Sequence, residues 1–191
     1  MIKISNYENI RNQLYTGDCI LVKGKGIISR IIRLYTEYSH TYIIIRPKEY
    51  EELKDRIFLL EAHSVGVRMV LLSDVLEKKS GDFYIFQPFG LTDTMRKRIL
   101  IDGLIASASQ IKYNFKGLFK NLLKRTSISI NNYFCSELVW VKWIKCGFIT
   151  PTSYVLTEEG VFNVIRGISP RPCDIPKWVY GTLTKINKGE N

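Results

Sequence analysis

Short apolar runs, each closed by a glycine, a proline or a charged residue, dominate the first half of the chain. Runs of four to seven residues that are rich in Ile, Val, Leu, Phe and Tyr predict buried strands. We predict strands at residues 19–22, 41–46, 57–62, 65–71 and 82–87. The runs at 57–62 and 65–71 are close enough in the chain to pair with each other. Pro47 and Pro88 follow two of the runs, as is typical of strand ends.

Helical spacing of apolar residues is the main pattern elsewhere, above all in the second half of the chain. We predict helices at residues 4–14, 27–34, 95–110, 114–124 and 135–146, with Gly147 ending the last of them. Thr92-Asp93 and Ser73-Asp74 are typical helix caps. A strand-like piece at 163–168 and a short element at 175–183 complete the chain. Strands that come early and helices that come late indicate an α+β fold.

Composition places the chain among globular proteins. Its 191 residues, of which 46% are apolar, suit one domain spanning residues 1–191. The four cysteines form no CxxC pair, and we expect free thiols. We see no secretory signal and no run of about 18–20 apolar residues, so we expect a cytoplasmic protein. The net charge of +10 favours anionic partners such as a membrane surface, nucleic acid or an acidic polymer.

Cys135 is the first candidate for chemistry, because it lies in the first turn of a predicted helix. Asn131 and Asn132 are residue types that commonly cap a helix start. The free backbone N–H groups and the dipole there stabilise a thiolate and a developing oxyanion. A cysteine in a helix beside Leu138 and Val139 is, however, more often a small core residue.

Two histidines compete for the role of a base that serves this thiol. His40 opens a predicted strand, and Glu61 ends another, from which its carboxylate could orient an imidazole. Spacing alone does not choose between His40 and His63, and all three side chains are also compatible with ordinary structural roles. The histidines and cysteines lack zinc-site spacing, and the loop at 23–26 lacks the Lys-Ser/Thr of a phosphate loop.

Four segments together resemble the YiiX-like permuted papain-fold enzymes. They are Gly17-Asp18-Cys19-Ile20-Leu21, Ser39-His40-Thr41-Tyr42-Ile43, Leu60-Glu61-Ala62 with Gly66-Val67, and Tyr133-Phe134-Cys135-Ser136-Glu137-Leu138-Val139. These enzymes are circularly permuted relatives of NlpC-type cell-wall endopeptidases and cousins of the lecithin:retinol acyltransferase group. Ser169-Pro170 and Asp174 resemble the closing Ser-Pro-x-Asp segment of that family, with a longer spacing. Cys19 stands where an aliphatic residue is usual.

The resemblance implies a circularly permuted papain-like fold, in which a small antiparallel sheet or barrel packs against helices that include the nucleophile helix. By position it implies Cys135 as nucleophile, His40 as base and Glu61 as the residue that orients the base; His63 has no place in the motif. It further implies a cysteine hydrolase, an amidase or peptidase acting on cell-wall-type peptide or isopeptide bonds through an acyl-enzyme. The alternatives are a lipid-directed thiol acyltransferase or esterase, and a non-catalytic basic module that binds membranes or nucleic acid. We expect no metal and no cofactor.

A basic amphipathic segment follows the predicted helix at 95–110. Lys112, Lys116, Lys120 and Lys124 recur every four residues beside apolar side chains. The pattern fits a surface helix with solvated lysines, and it also fits contact with an anionic membrane. The resemblance implies a small peptide or a lipid-like amide or ester as substrate. The basic segment adds an anionic membrane surface as a candidate partner, and we expect no specific nucleic acid.

Overall fold

The structure is a computed structural model that describes residues 11–48, 50–109, 112–113, 132–149 and 171–186. Its strands are β1 (Cys19–Gly24), β2 (His40–Ile45), β3 (Phe58–His63), β4 (Gly66–Leu71), β5 (Gly81–Pro88), β6 (Lys112–Tyr113), β7 (Asn132–Tyr133) and β8 (Gly181–Ile186). Its α-helices are α1 (Ile27–Arg33), α2 (Leu72–Lys78), α3 (Asp93–Ala108), α4 (Cys135–Lys145) and α5 (Ile175–Trp178). Short 3-10 turns lie at Glu51–Leu53 and Pro172–Asp174.

Six of the strands form one sheet in the order β4-β3-β2-β1-β5-β8, in which every neighbouring pair is antiparallel. All five strands predicted from the apolar runs are present, and β3 pairs with β4 as expected. In that pair Glu61 lies directly opposite Arg68. β6 and β7 form a separate parallel pair. The α+β fold class is confirmed.

Both faces of the sheet are covered, because alternate residues of each strand point to opposite sides. Leu21, Ile43 and Leu60 belong to a core that includes the apolar residues of α3 and α4. Their neighbours Ile20, Ile44 and Leu59 belong to a second core with α2. Helix α4 packs on β2 and β3, and this brings its first residue toward the strands that carry His40 and Glu61.

Two polar contacts fix α4 against the rest of the fold. Trp143 donates its indole N–H to the carbonyl oxygen of Gly17, 3.0 Å away, just before β1. Lys142 is 1% exposed, and its ammonium donates to both the carbonyl oxygen and the carboxylate of Asp102 on α3. These contacts hold the C-terminal half of α4 in place. Because the helix is rigid, they also determine the position of its first residue, Cys135.

Replacing Asp102 with alanine should therefore lower the free energy of unfolding by about 3 kcal/mol, because the Lys142 ammonium would remain buried without its counter-ion. Urea unfolding monitored by tryptophan fluorescence measures the change. Asp74→Ala is the matched control, since Asp74 pairs with Lys78 in solvent and its loss should cost at most about 0.5 kcal/mol. Equal losses in the two variants would contradict the anchoring role of Asp102.

The predicted helix caps are partly wrong. Thr92 is the N-cap of α3 and accepts a bond from the backbone N–H of Met95, as predicted. Leu71, not Ser73 or Asp74, precedes α2, because the chain enters that helix directly from β4. Likewise Phe134 is the N-cap of α4, since Asn132 belongs to β7. The Glu137 carboxylate accepts a bond from the backbone N–H of Phe134 and closes the first turn instead.

Several predictions fall outside the described residues. They are most of the helix at 4–14, the helix at 114–124 with Lys116, Lys120 and Lys124, the strand at 163–168, and Ser169-Pro170. Lys112 lies in β6. The element expected at 175–183 divides into α5 and β8, and β8 extends the sheet beyond β5. Within the described ranges, no helix is both long enough and apolar enough to cross a lipid bilayer.

Candidate active site

Cys135 is the first residue of α4, so its prediction at a helix start is correct. Its neighbour Phe134 has an extended backbone, and the Glu137 carboxylate binds the Phe134 N–H at 3.3 Å. The first N–H groups of a helix have no partner within the helix, which makes them available to an anion. Cys135 is only 2% exposed, and it lines a cavity.

His40 begins β2, and Ser39 fixes this start against β1. The Ser39 hydroxyl donates to the carbonyl oxygen of Val22 and accepts from the N–H of Gly24. A side chain at Gly24 would collide with the Ser29 hydroxyl, because a Cβ there would lie 2.5 Å from its oxygen. Glycine at this position thus leaves room for the side chain of Ser29, and an added Cβ would also lie 3.1 Å from the Ser39 hydroxyl oxygen.

The imidazole of His40 lies between a carboxylate and a thiol. Its Nε2 lies 3.0 Å from Oε2 of Glu61. The Cys135 side chain is close enough to the ring to raise its pKa. Since Glu61 engages Nε2, Nδ1 is the nitrogen left for the thiol. The structure therefore brings the three residues predicted for the site into one chain of contacts, with the histidine in the middle.

Glu61 is fully buried and bonded at both oxygens. Arg68 donates to Oε1 from Nε at 2.9 Å and from Nη2 at 2.7 Å, and the Lys79 ammonium lies 3.5 Å from Oε2. Burial alone would raise the pKa of this carboxyl. The bond and charge of His40, together with the charge of Lys79 and the hydrogen bond from Arg68, instead hold the pKa of Glu61 well below its usual range.

The pKa of His40 moves in the opposite direction. Burial favours the neutral ring and acts to lower the pKa of His40. The interactions of the ring with Cys135, and then with Glu61, outweigh burial and raise this pKa to about 9. His40 is therefore an imidazolium at neutral pH.

Three residues of this site were missed by sequence reasoning. Tyr42 packs edge-on against the His40 ring, with 4.5 Å between ring centroids, and Lys79 donates to its hydroxyl. Burial is the main cause that raises the pKa of Tyr42, and the charges of Glu61 and Cys135 raise it further. Tyr42 follows His40 by two residues and so shares its face of the strand, and Arg68 follows from the β3–β4 register. Lys79 carries no comparable sequence signal.

The cavity beside Cys135 has a volume of about 690 Å³, within the range of small-molecule sites. Glu61 and His40 lie at its base, while Ile28, Ile31 and Ile32 of α1 form one wall. His63 lines the same cavity, but its Nδ1 bonds the Ser64 hydroxyl at 3.0 Å. His40, and not His63, is the histidine in contact with Glu61 and Cys135.

The other three cysteines, Cys19, Cys146 and Cys173, are buried outside this cavity, and all four are free thiols. Burial, followed by the charge of Asp18, raises the pKa of Cys19, and burial also raises the pKa of Cys146. In the described part of the chain, no group of three or more His, Cys, Asp or Glu side chains is placed to hold a metal ion.

A structural comparison matches this fold to a solved structure, that of the metalloprotein YiiX from Escherichia coli O157:H7. The match covers 93% of this chain and 98% of that chain, with a TM-score of 0.60 and 18% sequence identity. No family model and no curated protein matches the sequence. The YiiX-like fold implied by the sequence segments is confirmed, and the roles of Cys135, His40 and Glu61 stay predictions.

Proposed function

We propose that this protein is a cysteine-dependent hydrolase that cleaves an amide or ester bond through an acyl-enzyme at Cys135. One observation carries the proposal. A cysteine at a helix start contacts a histidine whose other ring nitrogen is held by a buried carboxylate, and all three residues line one cavity. This is the combination of nucleophile, base and orienting group that acyl transfer requires.

The reaction follows from the charges of the three residues. The Cys135 thiolate attacks the substrate carbonyl, and the first N–H groups of α4 stabilise the oxyanion. The His40 imidazolium then gives its proton to the leaving amine or alcohol, and a thioester on Cys135 remains. Neutral His40 takes a proton from water, the hydroxide releases the acid, and the thiolate and imidazolium are restored. Glu61 keeps the ring oriented throughout.

The solved neighbour is described as a metalloprotein, but the residues of this cavity do not fit a metal centre. Both oxygens of Glu61 are engaged by His40, Arg68 and Lys79, and the last two carry positive charge. A divalent cation beside Cys135 and His40 would meet these cations at close range.

The resemblance to NlpC-type enzymes supports a cell-wall-type peptide or isopeptide as substrate, and a lipid amide or ester is the alternative.

Selective alkylation of Cys135 tests the proposal. Iodoacetamide at neutral pH should modify one cysteine, identified by peptide mass spectrometry as Cys135, because only this thiol lines the cavity and contacts an imidazolium. Cys19, Cys146 and Cys173 are internal controls, and they should react only after unfolding. Modification should also stop the hydrolysis of a simple reporter, p-nitrophenyl acetate.

Two results would contradict this proposal. Alkylation spread evenly over the four thiols of the folded protein would show that Cys135 is not activated. Hydrolysis that survives complete modification of Cys135 would show that the reaction uses another group. The first result would favour the non-catalytic binding module.

A further inference from the structure

Helix α1 turns an unusual number of apolar side chains toward solvent. Ile28 is 70% exposed and Ile31 46%, and Ile27 and Leu34 are exposed more fully still. Of the seven residues of the helix, only Ile32 is buried. A surface helix ordinarily hides its apolar stripe against the core, and an exposed cluster of this kind marks a binding surface.

This apolar surface continues into the candidate active site. Ile28, Ile31 and Ile32 line the same cavity as His40 and Cys135. A flexible hydrocarbon chain could therefore lie along α1 from solvent to the reacting sulfur and stay in contact with isoleucine side chains. A peptide backbone gains less from this wall, because isoleucine side chains offer its polar groups no hydrogen bonds.

The charged groups of the cavity are almost all positive. Lys25, Lys78 and Lys79 line it, and Arg30 and Arg33 lie on α1 itself. Asp74 reduces the charge of Lys78, to which it is paired at 3.0 Å. The carboxylate among the described lining residues is Glu61, which is already bound on both oxygens. A substrate with a negative group is favoured, and a free amino group would find repulsion.

We propose that the substrate is an acyl ester of an anionic amphiphile, of the phospholipid type, with its acyl chain along the isoleucines of α1 and its anionic head beside Lys25 and Lys78. This inference rests on the proposed function and narrows it. The Cys135 thiolate attacks the ester carbonyl, the C–O bond breaks, and His40 protonates the departing alcohol. Water then cleaves the thioester, which releases the fatty acid and regenerates the thiolate.

Acyl-chain selectivity tests whether the acyl chain of the substrate binds along the isoleucines of α1. The wild-type protein should hydrolyse p-nitrophenyl octanoate with a kcat/KM about 100-fold above that for p-nitrophenyl acetate, because the longer chain gains contact with α1. In the double variant Ile28→Ser/Ile31→Ser this ratio should fall to about 10 or less. Ile101→Ser/Ile105→Ser is the matched control. These two isoleucines are each 58% exposed on α3 and lie outside the cavity, so the ratio should not change.

Head-group selectivity tests the electrostatic part. Dioctanoyl phosphatidylglycerol should be hydrolysed about 10-fold faster than dioctanoyl phosphatidylcholine, which has the same chains and no net charge. The preference should shrink as salt is raised from 50 to 500 mM and in Lys25→Glu, because both weaken the attraction between the cavity and the anion.

The outcomes separate this inference from the proposed function. If Cys135 turns over the acetyl ester but chain length has no effect, or if both double variants lose the preference equally, the acyl-chain site is wrong and the hydrolase stands. If phosphatidylcholine is hydrolysed as fast as phosphatidylglycerol, the anionic head group is wrong. If no ester is hydrolysed and Cys135 is not alkylated, both proposals fail.

Discussion

Replacing Cys135 with serine is expected to lower kcat for p-nitrophenyl acetate by about 10⁵-fold while the protein stays folded. Loss of a covalent nucleophile typically costs a factor of this size. The structure adds a reason why serine cannot substitute. The interaction with Cys135 is the first cause that raises the pKa of His40 to about 9. A serine hydroxyl stays neutral at this pH, so the variant has no thiolate–imidazolium pair with which to begin the reaction. Stopped-flow release of p-nitrophenol measures the rate, and intact mass spectrometry detects the acyl-enzyme.

Cys146→Ser is the matched control for this substitution. Cys146 follows the last residue of the same helix, is 2% exposed like Cys135, and bonds the carbonyl oxygen of Trp143. Its replacement should leave kcat within about twofold, because it lies outside the cavity. Retention of more than about a tenth of the activity by Cys135→Ser, or an acyl adduct on another cysteine, would rule out Cys135 as the nucleophile.

The part of the fold that could be predicted from sequence is the part with a local apolar signal. Strands β1 to β5 are buried, and each of them appears in the chain as an apolar run. β8 gives no such signal, since Leu183 and the polar residues around it are exposed on an edge strand and only Ile186 is buried. Its position beside β5 depends on long-range pairing, which no local pattern specifies.

The candidate site, like the fold, could be predicted only where its residues carry a local sequence signal. Cys135, His40 and Glu61 lie at the ends of predicted elements, and the resemblance names them in order. The cations around Glu61 were missed, because an Arg or a Lys in a strand or turn normally indicates a solvated side chain. Arg68 could have been found from the hairpin register, since a two-residue turn at residues 64–65 places it opposite Glu61. The prediction that an asparagine caps α4 was wrong because Asn132 belongs to β7, and the helix begins two residues after that strand.

Replacing Glu61 with glutamine should lower kcat/KM by about 10³-fold and move the alkaline limit of activity downward. An amide keeps the size of the side chain but removes the charge that orients and stabilises the His40 imidazolium. With the bond and charge of Glu61 removed, the pKa of His40 should fall from about 9 toward its ordinary value near 6.5, although Cys135 still raises it. A pH profile of kcat/KM for p-nitrophenyl acetate measures this limit. Glu37→Gln is the control, because Glu37 pairs with Lys23, neither residue lines the cavity, and the substitution should leave the limit unchanged.

The ion pair of His40 and Glu61 also makes the free energy of unfolding depend on pH. His40 has a folded pKa above its unfolded value, so its contribution is complete below about pH 6.5 and disappears as the pH rises through about 9. Glu61 has a lowered pKa, so its contribution is present above about pH 4.5 and disappears as the pH falls below that value. Urea unfolding should therefore show the largest difference between wild type and Glu61→Gln at about pH 4.5–6.5, with a smaller difference at pH 9.5. A difference that stays constant across this range, together with an alkaline limit that remains near pH 9 in the variant, would mean that Glu61 does not control the charge of His40.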